Sequence, residues 1–320
     1  MNTCELVAAG DATGIGEGDA ALEASADGDA GGRLALSTPQ LQSTAAATSH
    51  TSVAFTIWTL RSDSVIRLKV DPWELAMRPE RGGRITSLRL RGEELLEQGI
   101  GIDAPKAAGY VEGGAAGWDE MVPTVDAAEY PGPGLWAGTK LPDHGEAWRM
   151  EWAVDDLSER HAAMHCAGAV LPWRLERRIE LTGEAVRATY SYENRGQEPL
   201  YAYWCAHPLF KYEVGMEVGA DHGAAVAHLP EGTSVKRFLR RGSVDRVRLA
   251  WSTGTAIEIA WDATLTPYVG IWACNGDLGG YRQIAIEPAT GGADRPHLAA
   301  PPPLLPPGGT LRWWLEIRRA

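Results

Sequence analysis

The sequence lacks any apolar stretch near the roughly 18 residues that a membrane-spanning helix needs. It also lacks a cysteine framework. Cys4, Cys166, Cys205 and Cys274 are scattered, with no CxxC pair, which speaks against both a disulfide scaffold and a zinc site. A reduced, cytoplasmic setting is expected. Basic charge is scarce. Lys and Arg number 30 against 42 Asp and Glu, for a net charge of −12. That balance argues against a nucleic-acid binder, whose surface must neutralise phosphates, although a local basic pocket stays compatible with it. A secretory leader is not expected, because Glu5, Asp11, Glu17 and Asp19 precede the first basic residue, Arg33, and no apolar core follows a basic start. No GxSxG elbow, HExxH helix or P-loop occurs, so a serine hydrolase or zinc protease gains no support. Sustained helical periodicity is nearly absent; Glu93 to Gln98 is at most a short helix.

Residues 1–50 hold no aromatic residue and are rich in Ala, Gly, Ser, Thr and acids. Such a segment buries too little apolar surface to offset the entropy of ordering, and a disordered tail is expected there. Within it Gly14-Ile15-Gly16-Glu17-Gly18 superficially resembles a nucleotide loop, but it follows no strand and its third glycine is misplaced. Residues 51–320 are expected to form a single domain.

In that domain the period is two. Residues 65–70 alternate, Asp71-Pro72 turns the chain, Trp73 to Arg78 reads as a strand, and Arg81-Gly82-Gly83 leads into another at Arg84 to Leu90. Leu175, Arg177, Ile179 and Leu181 share one face. Thr182-Gly183-Glu184 turns, and Val186, Ala188, Tyr190 and Tyr192 share a face of the return strand. Asn194-Arg195-Gly196 turns again into Leu200 to His207. Further strands are expected at 246–251, 256–261, 268–272, 281–287 and 311–317, the last after a Pro-rich loop and closing a sheet near its beginning. Many strands with Gly/Pro turns, and no fixed-period repeat, imply an all-β sandwich or barrel. Thirteen tryptophans are mostly core; Trp204 and Trp272 are candidates for lining a cleft.

Three separate segments carry the chemistry. Glu287 follows the strand-like run 281–286 and precedes Pro288, which holds it extended. Apolar neighbours would raise its basicity toward neutrality. His207 ends a run with Tyr201, Tyr203 and Cys205 on its face, before Pro208, which is expected to end the pairing. It can donate or accept a proton near pH 7. His144 lies in the loop Pro142-Asp143-His144-Gly145-Glu146 as a candidate hydroxyl ligand. The stretch Gly117-Trp118-Asp119-Glu120 reads as a loop whose Trp could stack on a sugar and whose Asp119 and Glu120 could bind hydroxyls. Arg84 is either a hydroxyl donor or an edge-strand charge. Each residue alone has an ordinary structural explanation: a strand-end Glu, a core His, a surface turn.

Taken in order, these segments resemble the aldose 1-epimerase (galactose mutarotase-like) family over roughly residues 65–318. The resemblance rests on Gly83-Arg84-Ile85-Thr86-Ser87-Leu88, Asp143-His144-Gly145, Tyr192-Glu193-Asn194-Arg195-Gly196, Ala206-His207-Pro208 and Ile286-Glu287-Pro288. It implies a β-supersandwich of large, twisted antiparallel sheets. It implies Glu287 as the base that removes the anomeric hydroxyl proton, His207 as the acid at the ring oxygen, and His144 as the ligand that positions a small-molecule sugar. No cofactor, metal, nucleic acid or membrane enters this chemistry. The family's aspartate between the second histidine and the glutamate has no matching motif here, though Asp221, Asp245, Asp262 and Asp277 lie in that interval; the Trp118-Asp119-Glu120 stretch could supply the contact. A divergent branch with an altered sugar is expected. Two alternatives are a non-catalytic sugar-binding protein on the same scaffold and an isomerase of a phosphorylated or modified sugar, the latter predicting an arginine pair, Arg84 and Arg282, in the cleft.

Overall fold

Alternation decides the architecture. Along Trp173–Leu181 every second side chain is buried, and the same holds along most of Ala185–Asn194. The two strands pair antiparallel with Leu175 opposite Tyr192, Arg177 opposite Tyr190 and Ile179 opposite Ala188, so that their apolar faces coincide. A computed structural model describes residues 65–99 and 109–320. The tail and residues 51–64 of the expected domain lie outside the described residues.

In chain order the strands are β1 (Ile66–Val70), β2 (Trp73–Arg78), β3 (Arg84–Leu90), β4 (Glu93–Glu94), β5 (Gly117–Met121), β6 (Ala128–Glu129) and β7 (Lys140–Leu141). Then come β8 (Ala153–Leu157), β9 (His161–Ala167), β10 (Trp173–Leu181), β11 (Ala185–Asn194), β12 (Leu200–Tyr201), β13 (Cys205–Lys211) and β14 (Glu217–Val218). The last seven are β15 (Thr233–Phe238), β16 (Arg246–Ala250), β17 (Ala256–Trp261), β18 (Tyr268–Asn275), β19 (Arg282–Ala289), β20 (Leu304–Leu305) and β21 (Thr310–Arg319). A nine-stranded antiparallel sheet runs β1-β2-β3-β5-β13-β19-β18-β15, with β4 added to β3. An eight-stranded sheet runs β14-β16-β17-β21-β11-β10-β9-β8. The expected all-β sandwich of large antiparallel sheets is observed, and one apolar core draws side chains from both sheets. Trp73, Trp118, Trp152, Trp173, Trp204 and Trp261 are all essentially inaccessible within the fold; truncating any one to Ala would cost about 3–5 kcal/mol.

Several local expectations are corrected. Gly117–Met121 is not a loop but a central strand, buried along its whole length. Glu93 and Glu94 form a short strand on β3, not a helix. The last strand, β21, lies in the middle of the second sheet between β17 and β11, not beside the first strands. The run 200–207 divides: Leu200–Tyr201 pairs with β20, and a separate strand begins at Cys205. Pro208 does not end that strand, which continues to Lys211 with Pro208 opposite Trp118. Among the described residues no helix is long and apolar enough to cross a membrane.

Candidate active site

The centre of the nine-stranded sheet places distant residues in one row. Asp119 of β5 lies opposite His207 of β13. On the other side of β13, Cys205 opposes Ala289 and Leu209 opposes Ala285, a register that sets His207 opposite Glu287 of β19. Backbone pairing skips the three residues between those two points. The gap falls where His207-Pro208 meets Glu287-Pro288, and each proline lacks the N–H that a ladder would use. Glu287 in turn opposes Gly270 of β18. Residues directly opposite one another share a face, so Asp119, His207, Glu287 and Gly270 look out on the same side of the sheet.

That side carries a cavity of ≈ 300 Å³ whose lining includes Tyr110, His144, His207, Lys236, Trp272 and Glu287. His207 and Glu287 are buried, and His207 Nε2 stands 3.6 Å from Glu287 Oε1. Among the described residues Oε1 has no hydrogen-bond partner. Oε2 accepts from Lys236 Nζ, and Cys205 Sγ lies 4.0 Å from it. Lys236 also bridges to Asp294 Oδ1 at 2.9 Å. Burial raises the Glu287 carboxyl above its ordinary range, and the Lys236 ammonium opposes that rise. Burial pushes the His207 imidazole well down, and the positive charges of Lys236 and Arg84 add to the effect.

Behind His207 runs a buried polar chain. Arg84 Nε donates to Asp119 Oδ1 at 2.8 Å, and Tyr110 Oη donates to Asp119 Oδ2 at 3.1 Å. Tyr110 Oη is also 2.8 Å from His207 Nδ1. A phenol has one proton, and the carboxylate beside Arg84 can only accept. The Tyr110 proton therefore goes to Asp119, and Nδ1–H of His207 donates to the Tyr110 oxygen. Nδ1 is thereby committed, and the nitrogen free to exchange a proton is Nε2, the one facing Glu287.

His144 completes the wall. It adopts φ +57°, followed by Gly145 at φ +69°. A Cβ on Gly145 would fall 2.2 Å from the Val122 carbonyl oxygen, so this crossing of the loop over the end of β5 requires glycine. The turn lays the His144 ring flat on Tyr110, with centroids 3.8 Å apart and planes 6° apart. Its Nδ1 is 2.8 Å from Asp143 Oδ2. With Asp143 accepting there, Nε2 is left to accept from a hydroxyl.

The structure thus gathers Glu287, His207, His144 and Trp272 around one cavity. Asp119 and Arg84 stand behind it, bonded to each other and to Tyr110 and the Gly113 and Gly114 carbonyls, rather than offering groups to the cavity. Glu120 and Trp204 are elsewhere. Strand alternation turns Glu120 toward the second sheet, where it accepts from Arg177 Nη1 at 2.9 Å, Tyr190 Oη at 2.9 Å and Trp204 Nε1 at 2.8 Å. Both belong to the core between the sheets and not to the cavity. Arg282 pairs with Glu231 and Asn275, and neither it nor Arg84 is among the described residues that line the cavity.

No protein-family model matches the chain, and no curated protein matches it in sequence. Solved structures do match. The Slr1438 protein of Synechocystis superposes with a TM-score of 0.67 at 15% identity, over 81% of this chain and 96% of that one. A candidate aldose 1-epimerase of Escherichia coli K12 gives 0.63 at 18% identity over 80% and 99%. A galactose mutarotase-like protein of Lactobacillus casei gives 0.61 at 15% over 80% and 100%. The fold is galactose mutarotase-like.

On this mutarotase-like scaffold, the cavity residues that bond to the site and escaped the sequence include Tyr110, Lys236 and Asp294. Each sits in a locally ordinary context, and each matters only through partners that the strand register brings to it. The one local sign was Tyr110 beside Gly109 in a short Gly-rich stretch, and it specifies nothing by itself. None of Asp221, Asp245, Asp262 and Asp277 is among the lining residues of the cavity; a carboxylate that follows Glu287, Asp294, is, and it pairs with Lys236.

Proposed function

We propose that the protein is an aldose 1-epimerase, interconverting the α and β anomers of a neutral free sugar. One observation carries the reading: Glu287 Oε1, without a hydrogen-bond partner among the described residues, stands 3.6 Å from His207 Nε2 at the wall of one cavity. The anomeric hydroxyl and the ring oxygen of an aldopyranose are bonded to the same carbon. A base and an acid that serve both must therefore lie within a few ångströms of each other, as these do. Glu287 Oε1 takes the anomeric hydroxyl proton. His207 delivers a proton from Nε2 to the ring oxygen while Nδ1–H stays on Tyr110. The C1–O5 bond breaks and C1 becomes a carbonyl. Rotation about C1–C2 presents the other carbonyl face, O5 attacks it, and the two protons return by the reverse transfers. Each positioned group is worth about 10²–10⁴ in rate.

His144 Nε2 accepts from a sugar hydroxyl, and the partly exposed Trp272 offers a C–H stacking face. The cavity lies at the small end of the ordinary ligand-pocket range of about 300–1,000 Å³, which suits a single ring. Its charged lining favours a neutral substrate over a phosphorylated one. Asp126, Glu287 and Asp294 face it against Lys236, the one Lys or Arg among the described lining residues, and both arginines expected for a phosphate are paired elsewhere.

Polarimetry or NMR on freshly dissolved α-glucose, α-galactose and other neutral aldoses tests this. Acceleration above the spontaneous rate is expected for at least one. No acceleration across the panel overturns the reading, and tight calorimetric binding without anomerisation would select a sugar-binding protein instead. Competition by sugar phosphates would select the modified-sugar alternative.

A further inference from the structure

Lys236 is a third charged participant at this centre, and the sheet is built to let it in. It stands on β15, two strands from Glu287, with β18 between them. A side chain on the intervening strand would block its path. The residue opposite Glu287 there is Gly270. A Cβ at that position would fall 2.6 Å from Lys236 Cε, 3.1 Å from Glu287 Oε2 and 3.2 Å from Lys236 Nζ. The lysine therefore occupies the space that a side chain at 270 would fill. Asp294 fixes its other side at 2.9 Å. The ammonium is held over Oε2, and Oε1 is left beside His207 with no hydrogen-bond partner among the described residues.

We propose that Lys236, admitted by Gly270 and tethered by Asp294, is a positioning residue that keeps Glu287 ionised and turns its Oε1 toward the substrate proton. The inference rests on the epimerase reading for its catalytic consequence, but the ionisation itself can be observed without substrate.

The groups around Glu287 show why a dedicated cation is needed. From β13 come Cys205 and His207, from the segment after β19 comes Asp294, and His144 and Asp126 face the same cavity. Burial and Asp294 both favour the protonated carboxyl. The His207 imidazole is itself driven toward its neutral form by burial, with Tyr110 and Arg84 behind it. Lys236 is the cation in direct contact with the Glu287 carboxylate. A contact of this kind lowers a carboxyl by about 1–3 pH units, so its loss should raise the Glu287 midpoint by that amount. Lys236 is held charged in return, because the two carboxylates outweigh its burial. That state rules it out as a nucleophilic amine.

The test is a ¹³C-carboxyl NMR titration of Glu287 in the wild-type chain and in Lys236→Met, Lys236→Arg and Gly270→Ala, with Glu287→Gln used to assign the resonance. The expected result is an upward shift of about 1–3 units in Lys236→Met, a smaller upward shift in Gly270→Ala, and a return toward wild type in Lys236→Arg. An unchanged midpoint in Lys236→Met overturns the proposal. If that variant does not fold, Gly270→Ala bears the test, and an unchanged midpoint there overturns it equally. If the wild-type chain anomerises sugars, the acid limb of kcat/KM should move up in step with the titration. Failure of the epimerase reading would appear as no wild-type turnover with the titration shift intact. Failure of the Lys236 proposal would appear as turnover with no shift.

Discussion

Replacing Tyr110 with Phe isolates the polar chain behind His207. The substitution removes one oxygen and leaves the ring, so the flat stack on His144 at 3.8 Å should survive and sugar binding with it. Two bonds are lost: the 3.1 Å donation to Asp119 and the 2.8 Å acceptance from His207 Nδ1–H. Asp119 keeps Arg84 at 2.8 Å, but Nδ1–H is stranded in a buried position. An orphaned buried donor costs about 1–3 kcal/mol of stability. The catalytic loss comes from the charged ring. A hydrogen bond to an ionised group contributes about 1.5–3 kcal/mol, so the imidazolium that delivers the proton becomes harder to form, and kcat should fall about 10- to 100-fold with KM little changed. With its Nδ1 partner gone, the neutral ring should also redistribute between tautomers, which ¹⁵N shifts of His207 report directly. Anomerisation rates by NMR, urea unfolding and the ¹⁵N spectrum together form the assay. A Tyr110→Phe protein with wild-type kcat and an unaltered His207 ¹⁵N spectrum would refute the assignment of the chain Arg84–Asp119–Tyr110–His207.

The pH profile follows from the two burial effects. Glu287 must be ionised, so rate is lost as pH falls through a midpoint raised above 4.5; His207 must be protonated, so rate is lost as pH rises through a midpoint lowered from 6.5. The pair titrates together, and kcat/KM should trace a narrow bell on the acid side of 6.5; a plateau extending through pH 8 would contradict this. Stability follows the same His207 shift: the unfolded chain takes up a proton near 6.5 that the folded chain refuses, so His207 costs stability as pH falls below that value, and His207→Gln should flatten the acid-side loss in urea titrations by at most about 1.4 kcal/mol per pH unit. Away from the cavity, Arg177→Met should cost about 3–5 kcal/mol in chemical denaturation, because it strands the buried Glu120 without its cation; a loss below 1 kcal/mol would mean that Tyr190 and Trp204 suffice.

The fold was legible wherever one face of a strand is buried and the other is not, as in β10 and β11, and the sequence resemblance extended that to the whole sandwich. It failed where burial is two-sided and polar. Asp119 and Glu120 are adjacent acids in a central strand, each neutralised by an arginine far away in the chain, Arg84 and Arg177. No local pattern marks such a strand, so the segment read as a loop and Glu120 as a sugar ligand. The His-Pro and Glu-Pro pairs were informative for a different reason than chain termination. Both prolines sit inside strands, next to His207 and Glu287 where the ladder between β13 and β19 lapses. His144, His207 and Glu287 were found because resemblance preserves them in order. Tyr110, Lys236 and Asp294 were missed because their roles exist only across strands, and Lys236 lies in a short strand with no alternation to mark an inward face.

The central claim is that Glu287 removes the anomeric proton within a cavity it shares with His207. Its most direct test is the anomerisation rate of Glu287→Gln beside wild type on the best neutral aldose, followed by NMR saturation exchange between the α and β resonances. Glutamine keeps the shape but cannot accept that proton, so the rate should fall by about 10²–10⁴ while sugar binding persists. A glutamine variant as fast as wild type would contradict the account.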